Sequence, residues 1–162
     1  MRTLSLLALC LIFFTSCDVK PVAPPPKAEI KYINIKSYNN KFVSADATMS
    51  MALIADRDEA KEWEKFTAYY LDSITIVLRS TYNTKYISTD GNKENELIAN
   101  RVEAGELERF TIIKLDSGRV AFKSFGKGYV SADQTRNSHL VANRKEIGQW
   151  EKFRIIEVKE SK

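Results

Sequence analysis

The chain has 162 residues, 44% hydrophobic and 28% charged, enough to build one core and hardly two. Its 25 Lys and Arg against 21 Asp and Glu leave a formal charge of +4, and the basic residues are interleaved with acidic ones, which argues against nucleic acid as a partner. Two cysteines and the single His139 are too few for a Cys/His zinc site or a repeated catalytic dyad, so no metal and no cofactor is expected.

Met1 and Arg2 make a positive start, and Leu4 to Phe14 form an apolar run too short to cross about 30 Å of hydrocarbon as a permanent helix. The pattern predicts a signal segment over residues 1–16. The run ends in Phe14-Thr15-Ser16-Cys17, which resembles the lipobox of bacterial lipoproteins, with Phe14 where Leu is usual. That resemblance implies a lipidated Cys17 as the mature N-terminus; an ordinary signal peptide cleaved nearby is the alternative. Cys10 lies inside the signal, so no disulfide is expected within the mature domain. Several acyl chains on Cys17 would hold the protein at a bacterial cell envelope, in a leaflet left open. Residues 17–28 contain all four prolines and read as an extended tether, rising about 3.1 Å per residue.

From residue 29 to 162 one motif is written three times. The first copy holds Phe42-Val43-Ser44-Ala45-Asp46, then Leu53-Ile54-Ala55-Asp56-Arg57, then Trp63-Glu64-Lys65-Phe66. The second holds Tyr86-Ile87-Ser88-Thr89-Asp90, Leu97-Ile98-Ala99-Asn100-Arg101 and Leu107-Glu108-Arg109-Phe110. The third holds Tyr129-Val130-Ser131-Ala132-Asp133, Leu140-Val141-Ala142-Asn143-Arg144 and Trp150-Glu151-Lys152-Phe153. First aromatic and last Phe are 24 residues apart in every copy, and the copies repeat at 44 and 43 residues. The extra residue of the second copy lies in Thr81-Tyr82-Asn83-Thr84.

Within each copy, alternating and β-branched runs such as Ile74-Thr75-Ile76-Val77-Leu78 predict strands, punctuated by turn residues such as Asn39-Asn40 and Asp116-Ser117-Gly118. The expectation is all-β, about four strands per copy and twelve in all. Three equally regular copies, none able to bury its own apolar face, close upon themselves, which predicts a β-trefoil with pseudo-threefold symmetry and a monomeric domain. A propeller blade has a similar size, but propellers need at least four.

The Val-Ser-Ala-Asp, Leu-Val-Ala-Asn-Arg and Trp-Glu-Lys-Phe elements resemble the repeat of fascin-like (actin-cross-linking-like) β-trefoil domains over about residues 30–158. The resemblance implies the fold strongly and function weakly, since that superfamily includes actin bundlers, sugar-binding modules and proteins without a known ligand.

The sets Ile35/Leu78/Phe122, Phe42/Tyr86/Tyr129, Leu53/Leu97/Leu140, Ala55/Ala99/Ala142 and Phe66/Phe110/Phe153 are apolar in all copies and predict the core. Trp63/Leu107/Trp150 is divided: tryptophan can stack on a sugar ring, whereas Leu107 argues for core. Arg57/Arg101/Arg144 and Glu64/Glu108/Glu151 recur seven residues apart, either as a structural ion pair or as polar groups beside a ligand. Asp46/Asp90/Asp133 sit where turn residues bond their own backbone. No phosphate loop, nucleophile elbow or zinc-protease motif occurs, so a non-enzyme is expected. The resulting expectation is an envelope-anchored module binding a glycan through Trp63, Glu64, Arg57, Trp150, Glu151 and Arg144. The alternative is a protein-interaction scaffold binding an envelope protein through an unrepeated loop, 47–51 or 92–96, with actin binding a more distant reading.

Overall fold

The computed structural model describes residues 28–159. The expected signal segment, Cys17 and the proline run to Lys27 lie outside the described residues. Within them the first copy forms β1 (Glu29–Lys36), β2 (Phe42–Asp46), β3 (Ala52–Arg57) and β4 (Phe66–Tyr70). The second forms β5 (Thr75–Ser80), β6 (Tyr86–Asp90), β7 (Glu96–Arg101) and β8 (Arg109–Lys114). The third forms β9 (Val120–Ser124), β10 (Tyr129–Asp133), β11 (His139–Arg144) and β12 (Arg154–Glu157). The all-β expectation, four strands to a copy, holds for the described residues.

Each copy sets its hairpin turn at the repeated Asp. Asp46 ends β2 and accepts the Thr48 N–H at 2.8 Å, which caps a 3-10 turn at Ala47–Met49. Asp90 and Asp133 do the same for Asn92 and Thr135, at 3.0 and 2.9 Å. Two left-handed residues then reverse the chain: Ser50 and Met51, Glu94 and Asn95, Asn137 and Ser138. None is glycine, so the turn holds a conformation that side chains disfavour.

The second left-handed residue links one lobe to the next. Ala99 N–H donates to the Met51 carbonyl at 3.0 Å, Ala142 to Asn95 at 2.9 Å, and Ala55 to Ser138 at 3.0 Å. First lobe serves second, second serves third, and third serves first. This cycle closes only with three members, and it offsets the turn strain with backbone bonds no isolated repeat could form.

Six strands form a circuit in which β12 pairs β1, β1 pairs β4, β4 pairs β5, β5 pairs β8 and β8 pairs β9. The bridge Val120↔Phe153, with backbone bonds of 2.9 and 2.8 Å, completes it just before β12. The hairpins β2–β3, β6–β7 and β10–β11 meet each other at Ala52↔Ile98, Glu96↔Val141 and Ile54↔His139. Phe66, Phe110 and Phe153 are buried at the centre with Leu53, Leu97 and Leu140, and each buried Phe or Leu contributes about 1.5–3 kcal/mol. Ile35, Leu78, Phe122 and the three alanines are buried as expected.

One expected core set is corrected. Phe42, Tyr86 and Tyr129 are half-buried, because each stands opposite a cation of the preceding strand at the hairpin mouth: Lys36, Arg79 and Lys123. The cations lie 4.2, 5.6 and 5.3 Å from the ring centroids, a partly wet contact that a dry core would not provide.

Candidate functional site

The loop from β3 to β4 is organised by one carboxylate. Glu64 is buried, and its Oε2 accepts the Lys61 N–H at 2.8 Å, tying the loop back three residues. Glu108 and Glu151 accept from Gly105 and Gly148 at 2.8 and 2.7 Å. The other oxygen faces arginine at 4.0 Å from Arg57, 3.8 Å from Arg101 and 3.8 Å from Arg144. The seven-residue recurrence of Arg and Glu thus brings the two side chains to the edge of ion-pair distance in all three copies, and the buried Glu is held by its own loop.

Arg57 also donates to Asp46 Oδ2 at 2.5 Å, and Arg144 to Asp133 Oδ2 at 2.9 Å. The arginine thus lies between a hairpin-capping Asp and a loop-closing Glu. Burial opposes ionisation of Asp46, but the Thr48 hydroxyl and amide and the Arg57 charge together hold its carboxyl below the usual aspartate range. Fixed in this way, the guanidinium lies 5.7 Å from the Trp63 ring centroid, and that of Arg144 lies 5.6 Å from Trp150.

Both tryptophans are half-buried. Their backbone carbonyls accept the N–H groups of Ala45 and Ala132, each at 2.9 Å, so the main chain is docked while the ring stays at the surface. Leu107, expected to speak for the core, is 53% exposed instead. The position projects from the loop in every copy, and burial does not select its residue type.

Trp63 borders an open depression of about 710 Å³ whose wall includes Arg57, Asp58, Glu62 and Glu64. Trp150 borders one of about 520 Å³ with Arg144, Lys145, Gln149 and Glu151. All six sequence-expected residues thus gather at two equivalent places, with tryptophan and arginine at the surface and glutamate beneath. Sequence reasoning missed Tyr82, which meets Trp63 edge-on with centroids 5.8 Å apart. Its one signal was the extra residue of the second copy. Among the described residues no His/Cys/Asp/Glu group could hold a metal, and no helix is long and apolar enough to cross a membrane.

No protein-family model matches the chain, and none of the curated proteins matches its sequence. Solved structures do resemble it. A designed threefold-symmetric protein, ThreeFoil, superposes with a TM-score of 0.68 at 10% identity over 78% of this chain and 99% of its own. The Polyporus squamosus lectin, solved with the epitope Neu5Acα2-6Galβ1-4GlcNAc, gives 0.63 at 14% identity over 80% of this chain and 49% of its own. The GlcNAcα1-4Gal-releasing endo-β-galactosidase of Clostridium perfringens gives 0.64 at 10% identity over 80% and 33%. The chain spans about half of that lectin and a third of that glycosidase. At such identities the likeness shows a trefoil-type all-β fold and nothing of ligand or activity.

Proposed function

We propose that the chain is a β-trefoil of fascin-like repeat that binds glycans without catalysis, stacking sugar faces on Trp63 and Trp150 beside Arg57 and Arg144. The observation that carries this reading is the pair of half-exposed indoles, each beside a fixed guanidinium and over an open depression. An aromatic platform with a few polar groups already held in place is what a sugar ring, apolar on its faces and polar at its edge, requires. Glu64 and Glu151 act from below by holding the arginine and the loop. These two glutamates, with Asp46 and Asp133, are engaged by the fold itself, so the repeated carboxylates of each site serve to hold it. The glycan-related names among the similar structures are consistent with this reading. In the second lobe, Leu107 replaces the platform.

The domain would be carried at a bacterial envelope by lipid on Cys17, with residues 17–28 as its tether. Incorporation of a labelled fatty acid that disappears in Cys17→Ala would support the anchor, and label retained in that variant would refute it.

The decisive experiment is a glycan array and insoluble-polysaccharide pull-down with the full-length chain in mild detergent, beside a Trp63→Ala/Trp150→Ala variant checked for folding by circular dichroism. Binding lost in a folded variant supports the reading. Absence of binding throughout would favour the scaffold alternative, toward which exposed Val102 and Leu107 on one second-lobe loop point.

A further inference from the structure

The two tryptophan depressions share a plan and differ in charge. Around Trp63 the exposed wall carries Asp58, Glu59 and Glu62 against Lys61. The same positions in the third lobe are Lys145, Glu146, Gln149 and Gly148, so most of the acid has gone. In the first lobe Lys41 is neutralised by Asp58 at 2.5 Å. Those two positions in the third lobe are Gly128 and Lys145, which removes the pair and leaves an exposed cation.

Gly128 has a physical reason to be glycine. A Cβ there would lie 2.5 Å from the Arg144 carbonyl oxygen, so the chain packs backbone to backbone and no side chain overhangs the floor. Beside it lies a depression of about 450 Å³ bordered by Lys123, Lys127, Tyr129, Arg144 and Lys145, with no carboxylate in its wall. It shares Arg144 and Lys145 with the Trp150 depression, so the two run together. Among the described residues, Lys123, Lys127 and Lys145 have no ion-pair partner; Lys123 lies over the Tyr129 ring. A further depression, sharing Ile147 and Gln149 with that of Trp150, bears Lys114, Arg119 and Lys152 with Asp116.

We infer that the third-lobe site takes an acidic glycan, one whose carboxylate or sulfate is held by Lys123, Lys127 and Lys145 while a ring stacks on Trp150, and that the first-lobe site does not. The inference rests on the glycan-binding reading above. Unpaired cations converging on one open floor attract an anion without breaking any existing pair, whereas the acidic wall around Trp63 repels one. Lys114, Arg119 and Lys152 of the adjoining depression add positive charge within reach of a chain longer than one residue.

The test is an array of matched glycans in neutral form and in sulfated, sialylated or uronic-acid form, with the full-length chain and its Lys123→Gln/Lys127→Gln/Lys145→Gln, Trp150→Ala and Trp63→Ala variants, all checked for folding. All three lysines are exposed; if the triple variant fails to fold, Lys127→Gln/Lys145→Gln replaces it. The expected result is tighter binding of acidic members by about tenfold, lost in the lysine variant and in Trp150→Ala, kept in Trp63→Ala. Equal binding of neutral and acidic members overturns the inference and leaves the glycan reading standing. A preference that survives the lysine variant, or one indifferent to Trp150, overturns it as well, since bare attraction to polyanions needs no platform. Binding to no glycan at all overturns both.

Discussion

Tyr82 of the second lobe stands edge-on against Trp63 of the first, ring centroids 5.8 Å apart and planes at 64°. The site around Trp63 is therefore built by two lobes, because the turn that carries the extra residue of the second copy reaches its neighbour's platform. Such an edge contact is worth about 0.5–1.5 kcal/mol beyond buried area. Tyr82→Ala is expected to shift Trp63 emission to the red and weaken first-lobe binding by several-fold, with the Trp150 site unchanged. Fluorescence in a Trp150→Phe background reads this directly; an unmoved spectrum would show that Tyr82 does not position the ring.

Glu64 offers a sharp separation between an acceptor and a charge. Its buried carboxylate holds the Lys61 amide and faces Arg57, so Glu64→Ala leaves a loop amide without its partner and is expected to cost about 1–3 kcal/mol in urea unfolding. Glu64→Gln keeps an oxygen for the amide and loses only the charge, and should cost less. Equal losses would mean that the arginine, and not the amide, is what the residue serves.

His139 and Glu96 occupy equivalent positions of neighbouring hairpins, with Ala52 the third member of the set. His139 Nδ1 is hydrogen-bonded to the buried Glu96, whose other near cation is Lys93 at 3.8 Å. His139→Ala is expected to destabilise the fold by about 1–3 kcal/mol, since a buried carboxylate loses its direct partner. Adding Glu96→Ala should recover part of that loss in a double-mutant cycle. Strictly additive losses would mean that the two side chains are not coupled.

Asp46 sets the direction of acid sensitivity. Its carboxyl is held below the ordinary aspartate value of 3.8, so the unfolded chain takes up the proton first as pH falls. Its contribution is complete above that value and disappears as pH drops through the lower folded one. The stability gap between wild type and Asp46→Asn should therefore be constant at neutral pH and shrink below about pH 4. A gap that widens toward acid would mean that folding raises the Asp46 carboxyl above its ordinary value.

Gly128 tests whether the lobes are interchangeable. Lysine occupies the equivalent position in the other two, as Lys41 and Lys85, yet Gly128→Lys is expected to destabilise by about 1–3 kcal/mol because its Cβ would meet the Arg144 backbone. Differential scanning calorimetry would detect it, and an unchanged Tm would show that the third hairpin can relax to the form of the others.

The amino-acid sequence by itself determined the three repeats, the strand content, the central Phe and Leu sets and the Asp at each hairpin turn. These follow from side-chain alternation and turn chemistry, which act over a few residues and leave a trace in each copy. It also placed arginine, glutamate and tryptophan around one loop. Tertiary structure alone decided how each of them is placed. Leu107 is hydrophobic and yet exposed, and Phe42, Tyr86 and Tyr129 recur as aromatics and yet rim the hairpins under a cation. Tyr82 reaches across a lobe boundary, and the lysines around Arg144 border one floor from β9, from the turn that follows it and from the residue just after β11. Those relationships join residues that become neighbours only when the three lobes close or strands pair, and periodicity along a chain carries no record of distances across it.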